Sequence, residues 1–345
     1  MRLKLFLAIP LLLACNLLTS QSTPISFQTP VPNEFVLPID QSTPQSFNPP
    51  LGDSLTDAKL ELVNAALLFD HVTTLADIPS RHVNSPGIQT AANLIAQRFA
   101  DIGGRWQVAF QEFPYSFNGI HTTQRNVLAT LPGQVDQIVL VGAHYDSRTR
   151  DIRDATAFAP GANDNGTGIA ILLEIARLLA NENPHATIVL AAFSAEEIDA
   201  GGATAYLADA QASRLSFRSV LILDTLGNPT IEQGASELRV FADPDPNHPG
   251  RQLALWLPSV AQRYVPEMQI LVQPTLDRPG FYSDHVPFSA AGYPAVRLIE
   301  SLENRDVNHT GNDVPNRLDA QYLLRAARIA LAATILLAFE VSEVP

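Results

Sequence analysis

The chain has 345 residues, with 22 Lys plus Arg against 35 Asp plus Glu and a formal net charge of −13. That acidic balance repels phosphate backbones and argues against nucleic acid as a partner. A single cysteine allows no internal disulfide and no thiolate metal cage. Lys4 and Lys59 are the only lysines, so Schiff-base chemistry would rest on Lys59 alone.

In chain order, Met1-Arg2-Leu3-Lys4 is a short basic start, followed by an apolar run from Leu5 to Leu18. The run falls short of the about 20 apolar residues that span a bilayer. It reads as an export signal over residues 1–20, which places the protein in the cell envelope or outside the cell. Cys15 follows Leu12-Leu13-Ala14, which resembles a lipoprotein cleavage box. Two outcomes stay open: a lipid anchor on Cys15 as the one membrane contact, or ordinary cleavage near Ser20 or Ser22. Residues 21–52 form a Pro/Ser/Thr-rich linker, in which Gln21-Ser22-Thr23-Pro24 recurs as Gln41-Ser42-Thr43-Pro44. Such a segment buries too little apolar surface to offset its ordering entropy, so it is a spacer.

From residue 53 to 345 the pattern is that of one globular domain. Leu60, Val63, Leu67 and Leu68 recur at helical spacing, and a second helical pattern runs from Ile88 to Ile102 before Gly103-Gly104. Gln137 to Ala143, Thr187 to Phe193 and Ser219 to Leu223 are apolar at nearly every residue, as strands covered on both faces are. Gly168 to Leu179 predicts an amphipathic helix between the first two strands, and Ala320 to Phe339 predicts a last helix. The fold class is α/β: a mixed, mostly parallel central sheet flanked by helices.

Each apolar run stops at ionisable residues: the first at His144-Tyr145-Asp146, the second at Glu196-Glu197, the third at Asp224. Asp164 lies in a Gly-rich loop, Pro160-Gly161-Ala162-Asn163-Asp164-Asn165-Gly166-Thr167-Gly168. Open α/β sheets place their sites at the carboxyl ends of strands. Four carboxylates and an imidazole converging there would repel one another unless cations lay between them. Imidazole and carboxylate donors without thiolate suit zinc, manganese or cobalt. No His-Glu-x-x-His and no Gly-x-Ser-x-Gly motif is present.

Gly142-Ala143-His144-Tyr145-Asp146-Ser147, Pro160 to Asp164, Ala195-Glu196-Glu197 with Gly202 and Tyr206, Leu223-Asp224, Ser283-Asp284-His285 and Asn308-His309-Thr310 together resemble the M28 family of zinc peptidases. The stretch from Ala290 to Thr310 is similar to the secreted bacterial leucyl aminopeptidase branch. The resemblance implies two zinc ions sharing Asp164, one also held by His144 and Asp224, the other by Glu197 and His309. It implies Glu196 as general base of a two-metal hydrolysis of peptide N-termini by a secreted aminopeptidase. Asp146 is the natural partner to orient His144.

Asp284 and His285 are expected to support the site from behind, and Phe281 and Tyr282 to line the substrate pocket. Thr225 stands where relatives often carry Met, and Asn165 where many carry a second Asp. The chain is expected to act as a monomer. Two alternatives share the fold: a glutaminyl cyclase-type acyltransferase, and a carboxypeptidase or dipeptidase.

Overall fold

The computed structural model describes residues 54–230, 233–278 and 282–340. The export signal with Cys15, the linker and Phe281 lie outside the described residues.

The order is α1 (Ser54–Leu60), α2 (Ala65–Ala76), α3 (Gly87–Ile102), β1 (Gln107–Phe117), β2 (Ile120–Leu131), β3 (Val135–His144), α4 (Thr167–Leu179), β4 (Ala186–Phe193), α5 (Glu196–Asp199), α6 (Gly201–Ala212) and β5 (Ser216–Leu223). It continues with β6 (Glu237–Phe241), α7 (Pro249–Tyr264), β7 (Gln269–Val272), α8 (His285–Ala290), β8 (Ala295–Glu300) and α9 (Ala320–Phe339). The strands form one sheet in the order β1-β2-β4-β3-β5-β8-β6-β7. The central four, β4, β3, β5 and β8, are parallel, and β2 and β6 flank them antiparallel.

The continuous apolar runs behave as expected. On β3, Val139, Val141 and Ala143 enter one core cluster while Ile138 and Leu140 enter another on the opposite face. Both faces are covered, so every position is apolar. Each fully buried aliphatic side chain contributes roughly 1.5–3 kcal/mol, which makes this parallel core the rigid platform for the strand ends. α9 is long and apolar enough to cross a bilayer by composition, yet Leu331, Ile335 and Leu336 belong to the main core cluster.

Two elements differ from the sequence pattern. The first helical stretch is broken, because the Asn64 side chain accepts the backbone N–H of Ala66 and Leu67 and starts α2 afresh. α4, amphipathic by its sequence pattern, is buried on all sides except at Arg177. It packs against α2, α9, β3 and β4. Its polar face is consumed internally: Glu174 accepts from Arg177 Nε at 2.7 Å and from the Asn64 backbone at 2.7 Å. Charged residues on a helix therefore marked a buried joint, not a solvated face.

The first turn of α4 carries Gly168 into the angle between β3 and β5. A Cβ there would lie 2.6 Å from Asn165 Oδ1 and 2.7 Å from the Leu223 carbonyl oxygen. Neither neighbour can yield, since Asn165 donates to Leu223 and accepts from the Gly168 N–H. Gly168→Ala should therefore cost about 2 kcal/mol through overpacking. A thermal melt should show a fall of roughly 3 °C at this domain size, and an unchanged melting temperature would contradict the packing described.

Candidate active site

The functional side chains enter from the carboxyl ends of the parallel strands. His144 is the last residue of β3, Glu196 and Glu197 open α5 just after β4, and Asp224 follows β5 directly. Asp164 sits in the turn before α4, which begins from left-handed Gly161 (φ 53°). His309 arrives from the loop after β8 in a left-handed conformation (φ 57°). Ala195 (φ 61°) reverses the chain sharply between β4 and α5, so the two glutamates face back over the sheet edge.

These six residues converge. His144 Nε2 lies 3.2 Å from Asp164 Oδ1, 3.4 Å from Asp224 Oδ1 and 3.8 Å from Glu196 Oε2. His309 Nε2 lies 3.1 Å from Asp164 Oδ2 and 2.9 Å from Glu197 Oε2. Asp164 thus turns one oxygen to each imidazole, and each imidazole has a further carboxylate on its far side.

The surrounding carboxylates favour the protonated form of both imidazoles. Burial works to lower His144, but Glu196, Asp224, Asp146 and Asp164 outweigh it and push it well above the usual range. Burial likewise opposes the charge of His309, yet Glu197 and Asp164 raise it to about 11. Asp164, which burial would raise, is held well below the carboxylate range by the two histidines. Glu196 goes the other way: burial first, then Asp224, Asp284 and Glu197, push it well above its ordinary value. Adjacent carboxyl groups driven apart in this way mark sites that transfer protons.

The donor set fits a metal. Donor atoms of His144, Asp164 and Glu197 lie within 4.8 Å of one another, as do those of His144, Glu196 and Asp224. Glu197 Oε1 is buried without a hydrogen-bond partner among the described residues. His144 Nδ1 lies 3.2 Å from the Asp146 backbone carbonyl, and donating to it leaves Nε2 to the cluster. Nitrogen and oxygen donors without sulfur suit zinc and its neighbours.

Other residues hold these in place. The Asp146 carboxylate is 3.5 Å from His144 Nδ1, but its two oxygens also accept the backbone N–H groups of Glu196 and Glu197, each at 3.1 Å. It therefore anchors the glutamate turn as well as facing the imidazole. Asp284 is fully buried, and neither of its oxygens has a hydrogen-bond partner among the described residues. Burial raises it well above the usual range, with Asp146 and Asp224 adding to the effect. His285 faces Asp277, with Nδ1 4.0 Å from its Oδ2; its Nε2 donates to the Leu276 carbonyl at 2.8 Å, and burial pulls it down to about 4. Tyr282 is half exposed (51%).

The sequence pattern missed several contributors. Asp313 accepts the backbone N–H of Asn163 at 2.8 Å and of Asp164 at 3.0 Å, fixing the loop that presents Asp164. Buried Arg81 donates to the carbonyls of Tyr145 at 2.6 Å and Gly161 at 2.9 Å, tying the β3 end to the same loop. Arg148 Nε donates to Glu197 Oε2 at 3.0 Å, and Arg297 to Asp224 Oδ2 at 2.9 Å. Only Arg297 left a signal: it is a single charge inside the apolar run Ala295 to Ile299.

A model of peptidase family M28 matches residues 126–334. The chain belongs to this family, and with it to the zinc-dependent exopeptidases. A probable zinc metalloprotease of Leptosphaeria maculans is 31% identical over 341 residues, covering 86% of this chain and 78% of the relative. Leucine aminopeptidase 1 of Neurospora crassa is 28% identical over 289 residues, covering 78% and 67%. The crystal structure of LapA aminopeptidase of Legionella pneumophila shares the fold with a TM-score of 0.70 at 20% identity, covering 83% of this chain and 75% of that one.

Asp146→Asn removes one of two acceptors that fix the glutamate turn and sets an amide N–H against a backbone N–H. Partners behind metal donors typically change metal affinity or activity by 10–100-fold. We expect kcat/KM on an aminoacyl anilide to fall by about that factor while the fold persists. Unchanged kcat/KM would show that the turn does not depend on Asp146.

Proposed function

We propose that this chain is an exported aminopeptidase that removes residues from peptide N-termini, with two zinc ions and Glu196 as proton carrier. The observation that carries the reading is the placement of Asp164, with one oxygen toward each imidazole and an outer carboxylate beyond each. His144, Asp224 and Asp164 would hold one zinc; His309, Glu197 and Asp164 would hold the other. Zinc supplies Lewis-acid chemistry there, acidifying water and polarising a peptide carbonyl.

The remaining work falls to the chain's own groups. Glu196 shares the Asp146 anchor with Glu197, but its nearest cation is His144, 3.8 Å away. Its raised pKa suits a carboxyl group that accepts a proton from water and returns it to the leaving amine. Amino-terminal selectivity is supported by the N. crassa and L. pneumophila relatives, whose names describe aminopeptidases. Export is supported by the basic start and apolar run of residues 1–20. Residues 21–52 would then tether the peptidase domain of residues 53–345.

Chelation should abolish release of leucine from Leu-p-nitroanilide, and zinc should restore it. Glu196→Gln should retain zinc yet lose roughly 10²–10⁴-fold in kcat, the range of a positioned acid–base group. Full activity of that variant would remove Glu196 from the mechanism. Release of pyroglutamate from Gln-peptides without any free N-terminal residue would replace the peptidase reading with a cyclase.

A further inference from the structure

A chain of alternating charges leaves the site and runs outward, its side chains rising from 3% exposed at Asp224 to 16% at Arg239. Asp224 Oδ2 accepts from Arg297 Nη2 and from Ser283 Oγ, both at 2.9 Å, which leaves Oδ1 facing His144. Arg297 Nε donates to the Asp224 backbone carbonyl at 3.0 Å, and its Nη1 donates to both oxygens of Asp277 at 3.1 Å. Asp277 also meets Arg278 Nε at 3.3 Å; Arg278 contacts Glu303, and Glu303 meets Arg239 at 3.4 Å. The side chains of Asp224, Arg297 and Asp277 are only 3–4% exposed.

Fold stability alone is a weak reason for such a row, because apolar replacements of buried ion pairs are often neutral or stabilising. Its geometry does something more specific. One Asp224 oxygen is occupied from behind while the other is presented to the site. Arg297 divides its charge between two acids, and Asp277 takes the share on the side away from the site.

We propose that Asp277 is a positioning residue that, through Arg297, holds Asp224 as a single-oxygen donor and sets how tightly the His144–Asp224 position binds zinc. The inference rests on the reading of Asp224 as a zinc donor. Without the Asp277 charge, the whole guanidinium charge turns toward Asp224. It then competes for the donor oxygen and repels a cation beside it, and both effects weaken binding. The effect is one-sided. The outer acid of the other position, Glu197, is held by Arg148, whose only acidic partner among the described ion pairs is Glu197 itself.

The test is zinc competition against a chelator of known affinity, with wild type, Asp277→Asn and Asp277→Glu. Wild type should take up two zinc ions. Asp277→Asn should weaken one of them by about tenfold or more, as loss of a buried charge partner does, and leave the other within about twofold. Asp277→Glu should restore most of the loss. In steady state, excess zinc should recover the kcat of Asp277→Asn with KM unchanged, which a general packing defect would not allow. If Asp277→Asn does not fold, Arg297→Lys, which keeps the charge but loses the fork, should give the same one-sided weakening. Wild-type affinity at both positions, or a kcat deficit that zinc cannot recover, overturns the inference. A wild type that binds no zinc fails the underlying reading instead, so the two failures are distinguishable.

Discussion

The structure turns on one constraint: several carboxyl groups are buried around a single point, where like charges in low dielectric repel strongly. The chain meets it with three kinds of partner. The imidazoles of His144 and His309 stand between carboxylates. Arg297 and Arg148 grip the outer acids Asp224 and Glu197. Backbone N–H groups serve two more: Asp146 is satisfied by the turn of Glu196 and Glu197, and Asp313 by the loop of Asn163 and Asp164. Each supporting acid thus fixes the segment that carries a working one. Metal fits the same logic, because a cation between Asp164 and its neighbours would take over the charge balance the imidazoles now provide.

The sheet makes this convergence feasible. Parallel strands β4, β3 and β5 deliver the glutamate pair, His144 and Asp224 to one edge from a core too tightly packed to yield. Gly168 lets α4 start close to β3 and β5, so the positive end of the helix lies near the acids and favours their charged forms. Packing and electrostatics are therefore coupled at one glycine.

Much of this was legible in the sequence, and what was not has physical causes. β3, β4 and β5 were readable because burial on both faces makes every residue apolar, a pattern no exposed element mimics. The strand ends were readable because an ionisable residue after such a run stands out. The long hairpin of β1 and β2 carries a strong signal in Asn118-Gly119, both left-handed, but β1 is mostly exposed and only the second half of β2, Val127 to Leu131, is largely apolar and buried. α4 differs because Glu174, buried within the protein, is satisfied by the half-buried Arg177 and by the Asn64 backbone. Asp313, Arg81 and Arg148 act through backbone carbonyls, N–H groups or a distant acid, contacts that only the fold creates. Family motifs supplied the roles of the converging residues, which spacing alone left open.

The sharpest distinction in the site lies between neighbours. Glu196 and Glu197 share one turn, one anchoring aspartate and one strand end. The Oε2 of Glu197 takes both His309 at 2.9 Å and Arg148 at 3.0 Å. Among the described residues Glu196 has no cation within hydrogen-bonding distance, and Asp224, Asp284 and Glu197 together with burial favour its protonated form. A carboxylate crowded by acids is poorly placed to hold a fixed charge, whereas Glu197 is tied to two nitrogen donors. The left-handed Ala195 sends successive side chains to opposite environments, so a single turn separates the group that would bind from the group that would carry the proton.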